Sequence, residues 1–238
     1  MSRLFVTGDT HGLMDFGKLK RFCVGKELDR EDYIIIAGDC GVLWSQELKD
    51  EYISEYEALG VTILFVDGNH ENYDMLYSYP VSTFLGGRVH KISQNIYHLI
   101  RGEIYSICGK TILAFGGGES NDMANRIEHK TWWADESITE QDFNNAKLNL
   151  MRVDNCVDYV ISHVPPTEIL PLIKSDLTCC GEELPWYLVP KLIPKVSNDY
   201  VQKMSNLVSY NRWCFGHIHL DITFGNFVGV YDRVLELK

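Results

Sequence analysis

The sequence predicts an α/β fold in which two mixed β-sheets pack together with helices outside. Three observations lead there. Short apolar runs ending in Gly or Asp recur along the chain, helix-like stretches separate the first three, and later runs follow one another across short polar breaks. The 238 residues suffice for one α/β domain spanning 1–238. Apolar residues at 45% and charged residues at 23% are ordinary for a soluble globular chain, which excludes a chain dominated by disorder.

Taken in order, the apolar runs are Leu4–Gly8, Tyr33–Gly38, Val61–Gly68, Lys110–Gly118, Tyr159–His163 and Arg212–His219. Each is short and rich in Val, Ile, Leu or Phe, as strands buried on both faces require. Phe16–Lys26 and Ser45–Leu59 read as the helices between the first three. In the second, Leu48, Tyr52, Ile53, Tyr56 and Leu59 recur at helical spacing opposite Glu47, Asp50, Glu51 and Glu55. Strand and helix in alternation build a parallel sheet with right-handed crossovers. Asn95–Leu99, Glu103–Cys108 and Lys110–Phe115 predict a hairpin or meander, and Asp221–Gly229 with Val230–Leu237 a closing antiparallel pair. Residues 165–211 hold six of the seven prolines and predict an irregular insertion or lid.

Acidic residues outnumber basic ones by 33 to 22, for a net charge of −11. No extensive surface for double-stranded nucleic acid is therefore expected, since coating a duplex needs clustered Lys and Arg. A nucleotide or phosphate in a small pocket remains compatible, with bound cations supplying local positive charge. No apolar stretch reaches the 18 or so residues of a membrane span, so no membrane partner is expected. The chain enters Leu4-Phe5-Val6 directly after Met1-Ser2-Arg3, which leaves no room for a secretory leader. The seven cysteines are odd in number and lack zinc-ligand spacing, so reduced thiols in the cytoplasm are the expectation.

Polar residues gather where the strands end. Asp9 and His11 follow the first, Asp39 the second, and Asn69, His70 and Glu71 the third; His163 ends a later strand, and His217 and His219 follow the last. In open α/β sheets ligands bind outside the carboxyl ends of strands, so five strand ends deliver Asp, Asn and His to one region. The pairs Asp9/His11 and His217/His219 are spaced i, i+2, which places both side chains on one face of an extended chain. Carboxylate, carboxamide and imidazole donors together suit divalent Mn, Fe, Co, Ni or Zn. Any single pattern is ordinary turn or core chemistry; the ordered combination points to a metal site. His90 and His98 fall outside it and read as structural.

The order Asp9-x-His11, Gly38-Asp39, Gly68-Asn69-His70-Glu71, His163 and Gly216-His217-x-His219 resembles the calcineurin-like metallophosphoesterase superfamily. The resemblance implies a four-layer α/β/β/α sandwich with a dinuclear metal centre at the strand C-terminal ends. It assigns Asp9, His11 and His219 to one divalent ion, Asn69, His163 and His217 to the other, and Asp39 to the bridge, with Mn the first expectation. It implies a metal-dependent phosphoesterase, acting on a phosphodiester or phosphomonoester with a metal-bridging water or hydroxide as nucleophile. His70, beside Asn69 but outside both ligand sets, is the catalytic residue available to stabilise the transition state or protonate the leaving group. The protein-phosphatase branch continues as Gly-Asp-x-x-Asp-Arg-Gly; here Cys40-Gly41-Val42-Leu43-Trp44 follows Asp39, which sets the chain apart from that branch. The alternative is a non-catalytic scaffold or sensor keeping the fold. For substrate contacts the sequence offers Arg126, Trp132 and Trp133, which lie beyond Gly116-Gly117-Gly118. A guanidinium grips phosphate and indoles stack on bases, as a nucleotide or a short nucleic-acid end would need.

Overall fold

A computed structural model describes residues 2–179 and 183–238; Met1 and residues 180–182, the latter inside the expected lid, lie outside the described residues. The first half alternates β1 (Leu4–Thr7), α1 (Gly17–Lys26), β2 (Tyr33–Ala37), α2 (Lys49–Glu57) and β3 (Thr62–Val66). Then come α3 (Tyr73–Ser78), β4 (Val81–Phe84), β5 (Gly87–Lys91), β6 (Ile96–Leu99), β7 (Ile104–Ile107) and β8 (Lys110–Phe115). The second half carries α4 (Glu140–Leu150), β9 (Cys156–Ser162), α5 (Ile169–Thr178), α6 (Val196–Ser205) and β10 (Ser209–Phe215). It closes with β11 (Ile222–Phe224), β12 (Phe227–Gly229) and β13 (Leu235–Glu236).

The strands form two mixed sheets, ordered β13-β1-β2-β3-β6-β5-β4 and β11-β12-β10-β9-β8-β7. Strands β1, β2, β3 and β6 run parallel, with Val6 opposite Ile35 and Ile35 opposite Leu64. Strands β8, β9 and β10 are likewise parallel, with Leu113 opposite Val160 and Val160 opposite Trp213. Alternation along each strand divides its side chains between two cores. Leu4, Val6, Ile35, Ala37, Leu64 and Val66 meet Ile112, Ala114, Tyr159 and Ile161 of the other sheet. Phe5, Ile34, Ile36, Ile63 and Phe65 turn outward onto Leu19 and Cys23 of α1 and Tyr56 of α2. On the far side Leu113, Phe115, Val160, Trp213 and Phe215 pack against α4, α5 and α6 through Leu150, Ile173 and Met204. Three apolar interfaces separate four layers, α/β/β/α. Because both faces of every central strand are buried, the runs read as continuous rather than alternating.

Three expectations are corrected. The expected hairpin is there in Glu103–Cys108 and Lys110–Phe115, as antiparallel β7 and β8, but Asn95–Leu99 lies outside it: β6 pairs with β3 and β5 in the other sheet. Asp221–Gly229 does not pair with Val230–Leu237. It folds on itself as the β11–β12 hairpin, and β13 crosses to pair antiparallel with β1. The proline-rich 165–211 is not irregular throughout, because α5 and α6 lie in it and bury Ile169, Leu170, Ile173, Val201 and Met204. Pro171 sits in the first turn of α5, where a helix has no use for its missing N–H. Among the described residues no helix is long and apolar enough to cross a membrane.

Candidate metal centre

The carboxyl ends of β1, β2, β3, β9 and β10 meet where the two sheets abut, and each releases its polar residues into a tight loop. Asp9, His11, Asp39, His217 and His219 all have left-handed backbone, with φ of 50°, 45°, 52°, 64° and 58°. Such φ values are uncommon outside glycine and cost on the order of 1 kcal/mol each, so the surroundings must impose them. Backbone bonds do so: Asp9 N–H donates to Gly38 O (3.1 Å), and the N–H groups of Thr10 and His11 donate to Asp39 O (3.0 and 2.9 Å). The His217 N–H donates to both Asp9 carboxylate oxygens, at 3.0 and 3.1 Å. Buried Lys18 ties the same corner by donating to the carbonyls of Gly8, Asp9 and Tyr231. The i, i+2 pairs thus converge through left-handed turns, not along the extended chain that their spacing suggested. Two glycines make the approach possible. A Cβ on Gly38 (φ +84°) would stand 2.1 Å from His163 Nδ1, and one on Gly68 2.3 Å from Asp39 Oδ1.

All seven expected ligand residues converge, as two sets of donors. The ligand atoms of Asp9, His11, Asp39 and His219 lie within 4.8 Å of one another. In the second set, Asn69 Oδ1 lies 3.1 Å from His163 Nε2 and 3.0 Å from His217 Nδ1, and those nitrogens are 3.2 Å apart. Asp39 faces both sets: Oδ1 is 3.3 Å from His163 Nε2, and Oδ2 is 3.4 Å from His11 Nε2. Separations of about 3.0–3.4 Å are the polyhedron edges expected when donors sit about 2.0–2.1 Å from a common ion. Two further observations fit ions here. His219 Nε2 is buried without a hydrogen-bond partner. In two of the histidines the outer ring nitrogen is spoken for: His163 Nδ1 faces Ala37 O (3.1 Å), a carbonyl that can only accept, and His11 Nδ1 faces Asp15 Oδ2 (2.7 Å). In the neutral ring each arrangement leaves Nε2 to point inward with its lone pair.

The electrostatics agree. Burial alone would raise Asp39, yet His163, His70 and His11 hold its carboxyl well below the usual range; Asp9 is likewise lowered despite burial, by His219 and His163. Burial would lower His11, but Asp39, Asp9 and Asp15 raise it to about 9. Burial, reinforced by His163, drives His217 well below an ordinary imidazole. Both carboxylates are therefore ionised at neutral pH, and a cation bound at His11 would have to displace a proton from it.

His70 stands beside both sets. Its N–H donates to Asp39 Oδ1 (2.8 Å), and its ring lies edge-on to His11 at 5.1 Å and tilted against Trp44 at 5.5 Å. Among the described residues no carboxylate bonds the ring; aromatic packing orients it instead. Burial pushes it down to about 4. Glu71 belongs to no donor set. It accepts from the N–H groups of Cys40 and Gly41 and so braces the loop behind Asp39.

Two cavities meet at His70 and His219. One, of about 550 Å³, continues past His11 to Met14, Trp44, Tyr52 and Tyr231. The other, of about 260 Å³, reaches Arg126, Trp186, Tyr187 and Lys191. The expected substrate contacts divide. Arg126 lines the second cavity, with its Nε 2.6 Å from Asp122 Oδ1. Trp133 is fully buried in the core and donates to Asp74, and neither it nor Trp132 lines either cavity. The Gly116–Gly118 loop packs on Asp67 and His163 from behind. Sequence reasoning missed Trp44, Tyr52, Tyr231 and Lys191. Tyr52 and Trp44 carried ordinary apolar signals, and nothing in the local sequence marks Lys191, whose Nζ donates to His217 O.

Fold and donor geometry together define a two-sheet sandwich with a candidate metal centre at its strand ends. The chain belongs to the calcineurin-like phosphoesterase family, which matches residues 2–221. No curated protein matches it. One crystal structure is 14% identical over 97% of this chain and 90% of its own, with a TM-score of 0.50, and so shares the fold. A protein of unknown function from Aquifex aeolicus is 19% identical over 68% of this chain and 78% of its own (TM-score 0.34). The sulfate thiohydrolase SoxB of Thermus thermophilus, in complex with glycerol, is 11% identical over 97% of this chain and 51% of its own (TM-score 0.43).

Proposed function

We propose that the chain is a metal-dependent phosphodiesterase. One divalent ion is held by Asp9, His11 and His219, a second by Asn69, His163 and His217, and Asp39 is shared. The observation that carries this reading is Asp39, which turns one carboxylate oxygen toward each donor set. Mn is the first candidate ion, with Fe, Zn, Ni and Co suited to the same donors. Bound ions supply Lewis acidity toward phosphoryl oxygens and a nucleophile competent near neutral pH. The protein's own residues do the rest. Ionised Asp9 and Asp39 provide the negative charge that holds cations in a buried place. Neutral His70, its backbone fixed to Asp39 and its ring to Trp44, donates a hydrogen bond to the oxygen on which charge develops.

A diester is favoured over a monoester because two cavities meet at His70 and His219, one for each arm of the ester. Arg126 and Lys191 in the smaller one suit a phosphorylated arm, as in a nucleotide or a short single-stranded end. Cysteines without disulfide spacing support a reducing, cytoplasmic setting. The test is hydrolysis of bis-p-nitrophenyl phosphate by purified protein with Mn²⁺ or with chelator, alongside p-nitrophenyl phosphate. Chelator-sensitive turnover that favours the diester is expected. Turnover indifferent to chelator, or none with any of the five metals, refutes the reading.

A further inference from the structure

From the larger cavity we infer that the substrate's uncharged arm is a nucleoside whose base stacks between Trp44, Tyr52 and Tyr231. This rests on the phosphodiesterase reading and specifies its substrate class. At about 550 Å³ the cavity is of the size that holds small organic ligands, and its inner end is formed by His11, His70 and His219. An arm of an ester at the donor sets would lie in it without further movement.

The walls select the chemistry. Apart from the three histidines, the charged side chain lining the cavity is Asp15, and it is already engaged by His11 Nδ1 (2.7 Å) and the Tyr231 hydroxyl (3.2 Å). No Lys or Arg lines it among the described residues, so a polyphosphate or carboxylate arm finds no partner there; those charges lie in the other cavity, on Arg126 and Lys191. The remaining walls are the rings of Trp44, Tyr52 and Tyr231, with Gly41 and the exposed Met14. Three aromatic rings, two of them carrying hydroxyls, suit a heteroaromatic ring better than an aliphatic chain.

The rings are also held in place before any ligand arrives. Tyr231 stacks on His219 at 4.9 Å and 7°, with Lys18 Nζ 4.6 Å from its centroid. Trp44 packs edge-on against buried Trp133 at 6.1 Å. Tyr52 lies so close to Gly12 (φ +63°) that a Cβ there would stand 2.3 Å from the ring. Ordered rings lose little freedom on binding, so most of the stacking energy appears as affinity.

The test compares adenosine 5′-monophosphate with ribose 5-phosphate, which differ by the base, in calorimetric titrations of Mn²⁺-loaded protein. The base is expected to tighten binding by about 5- to 150-fold, the range of one base–aromatic stack. Trp44→Leu and Tyr52→Leu should each shrink that ratio toward one; if one variant does not fold, the other decides. Equal affinity for the two probes in the unaltered protein, or an undiminished ratio in a folded variant, overturns the inference. Binding and hydrolysis fail separately. Turnover of bis-p-nitrophenyl phosphate without a base preference removes the nucleoside and leaves the phosphodiesterase. A base preference lost in the variants, without any turnover, removes the activity and leaves the site.

Discussion

Arg101→Met should be among the most damaging single changes outside the donor sets. The guanidinium, 6% exposed, holds Asp67, 1% exposed, through Nε at 2.8 Å and Nη2 at 2.5 Å. It also donates to Asp135 O (2.6 Å), Ser137 O (2.8 Å) and the Tyr73 hydroxyl (3.1 Å), which fastens the end of β3 to the turn before α4. Burial would raise Asp67, but Arg101 and His98 lower it far below the usual carboxylate range. The sign follows: the stability contributed by this depressed group is present above the unfolded carboxylate pKa and lost as pH falls below it. Methionine fills much of the volume but strands a buried carboxylate, a change that costs about 3–5 kcal/mol. For a chain of 238 residues, at about 2–4 °C per kcal/mol, the midpoint should drop roughly 6–20 °C. The assay is thermal and urea unfolding at pH 7 of the unaltered protein, Arg101→Met, and Arg101→Met combined with Asp67→Asn. The amide still reaches Tyr73 and His98, at 2.8 and 3.1 Å, so the double variant should recover about 1 kcal/mol or more. A single variant within about 1 kcal/mol of the unaltered protein, or a double variant no better than the single, would refute the reasoning.

Asp39→Ala should abolish diester hydrolysis more completely than His11→Ala, because Asp39 faces both donor sets; equal residual rates would remove its bridging role. His70→Ala should keep its bound metal, measured by elemental analysis, while kcat falls about 10²- to 10⁴-fold, with a smaller loss on esters of acidic leaving groups. Metal lost from that variant would make His70 a ligand instead. Burial raises Glu136 to about 7 even though it accepts from the Ser120 and Trp133 N–H groups. A raised carboxyl stabilises in its protonated form, fully below its unfolded pKa, and loses that contribution as pH climbs toward 7. The stability of the unaltered protein relative to Glu136→Gln should therefore fall between pH 5 and 7 in urea titrations; a flat difference would contradict it.

The convergence of the seven candidate donors was legible because each follows a strand whose buried faces make it an unbroken apolar run, and a glycine marks where four of the five strands end. His90 and His98 also read correctly, as a ring pair stacked at 5.3 Å with His98 bonded to Asp67. What the sequence hid depends on which sheet a strand joins. β4 is largely exposed, so Val81–Phe84 lacks an apolar signature, and β6 looks no different from a meander strand until its partners are known. The aromatic cavity was hidden for a related reason. Tyr52 occupies a helical position that fits a core stripe, and whether such a ring faces a core or a cavity is decided by distant chain. Trp132-Trp133 misled in the opposite sense, since an adjacent aromatic pair carries no sign of the aspartate, Asp74, that draws Trp133 inward.

The donors are divided between the sheets: Asp9, His11, Asp39 and Asn69 leave β1, β2 and β3, while His163, His217 and His219 leave β9 and β10. Neither sheet alone owns a complete set, and the contributing segments are up to 210 positions apart (residues 9 and 219). A state with one sheet formed would lack the pocket, so metal binding at the proposed site should report docking of the two sheets. Ions bound there as proposed would act as a clasp between two halves of the molecule, adding stability that grows with the logarithm of free metal concentration. Chelation should thus loosen the seam between the sheets before it loosens either sheet.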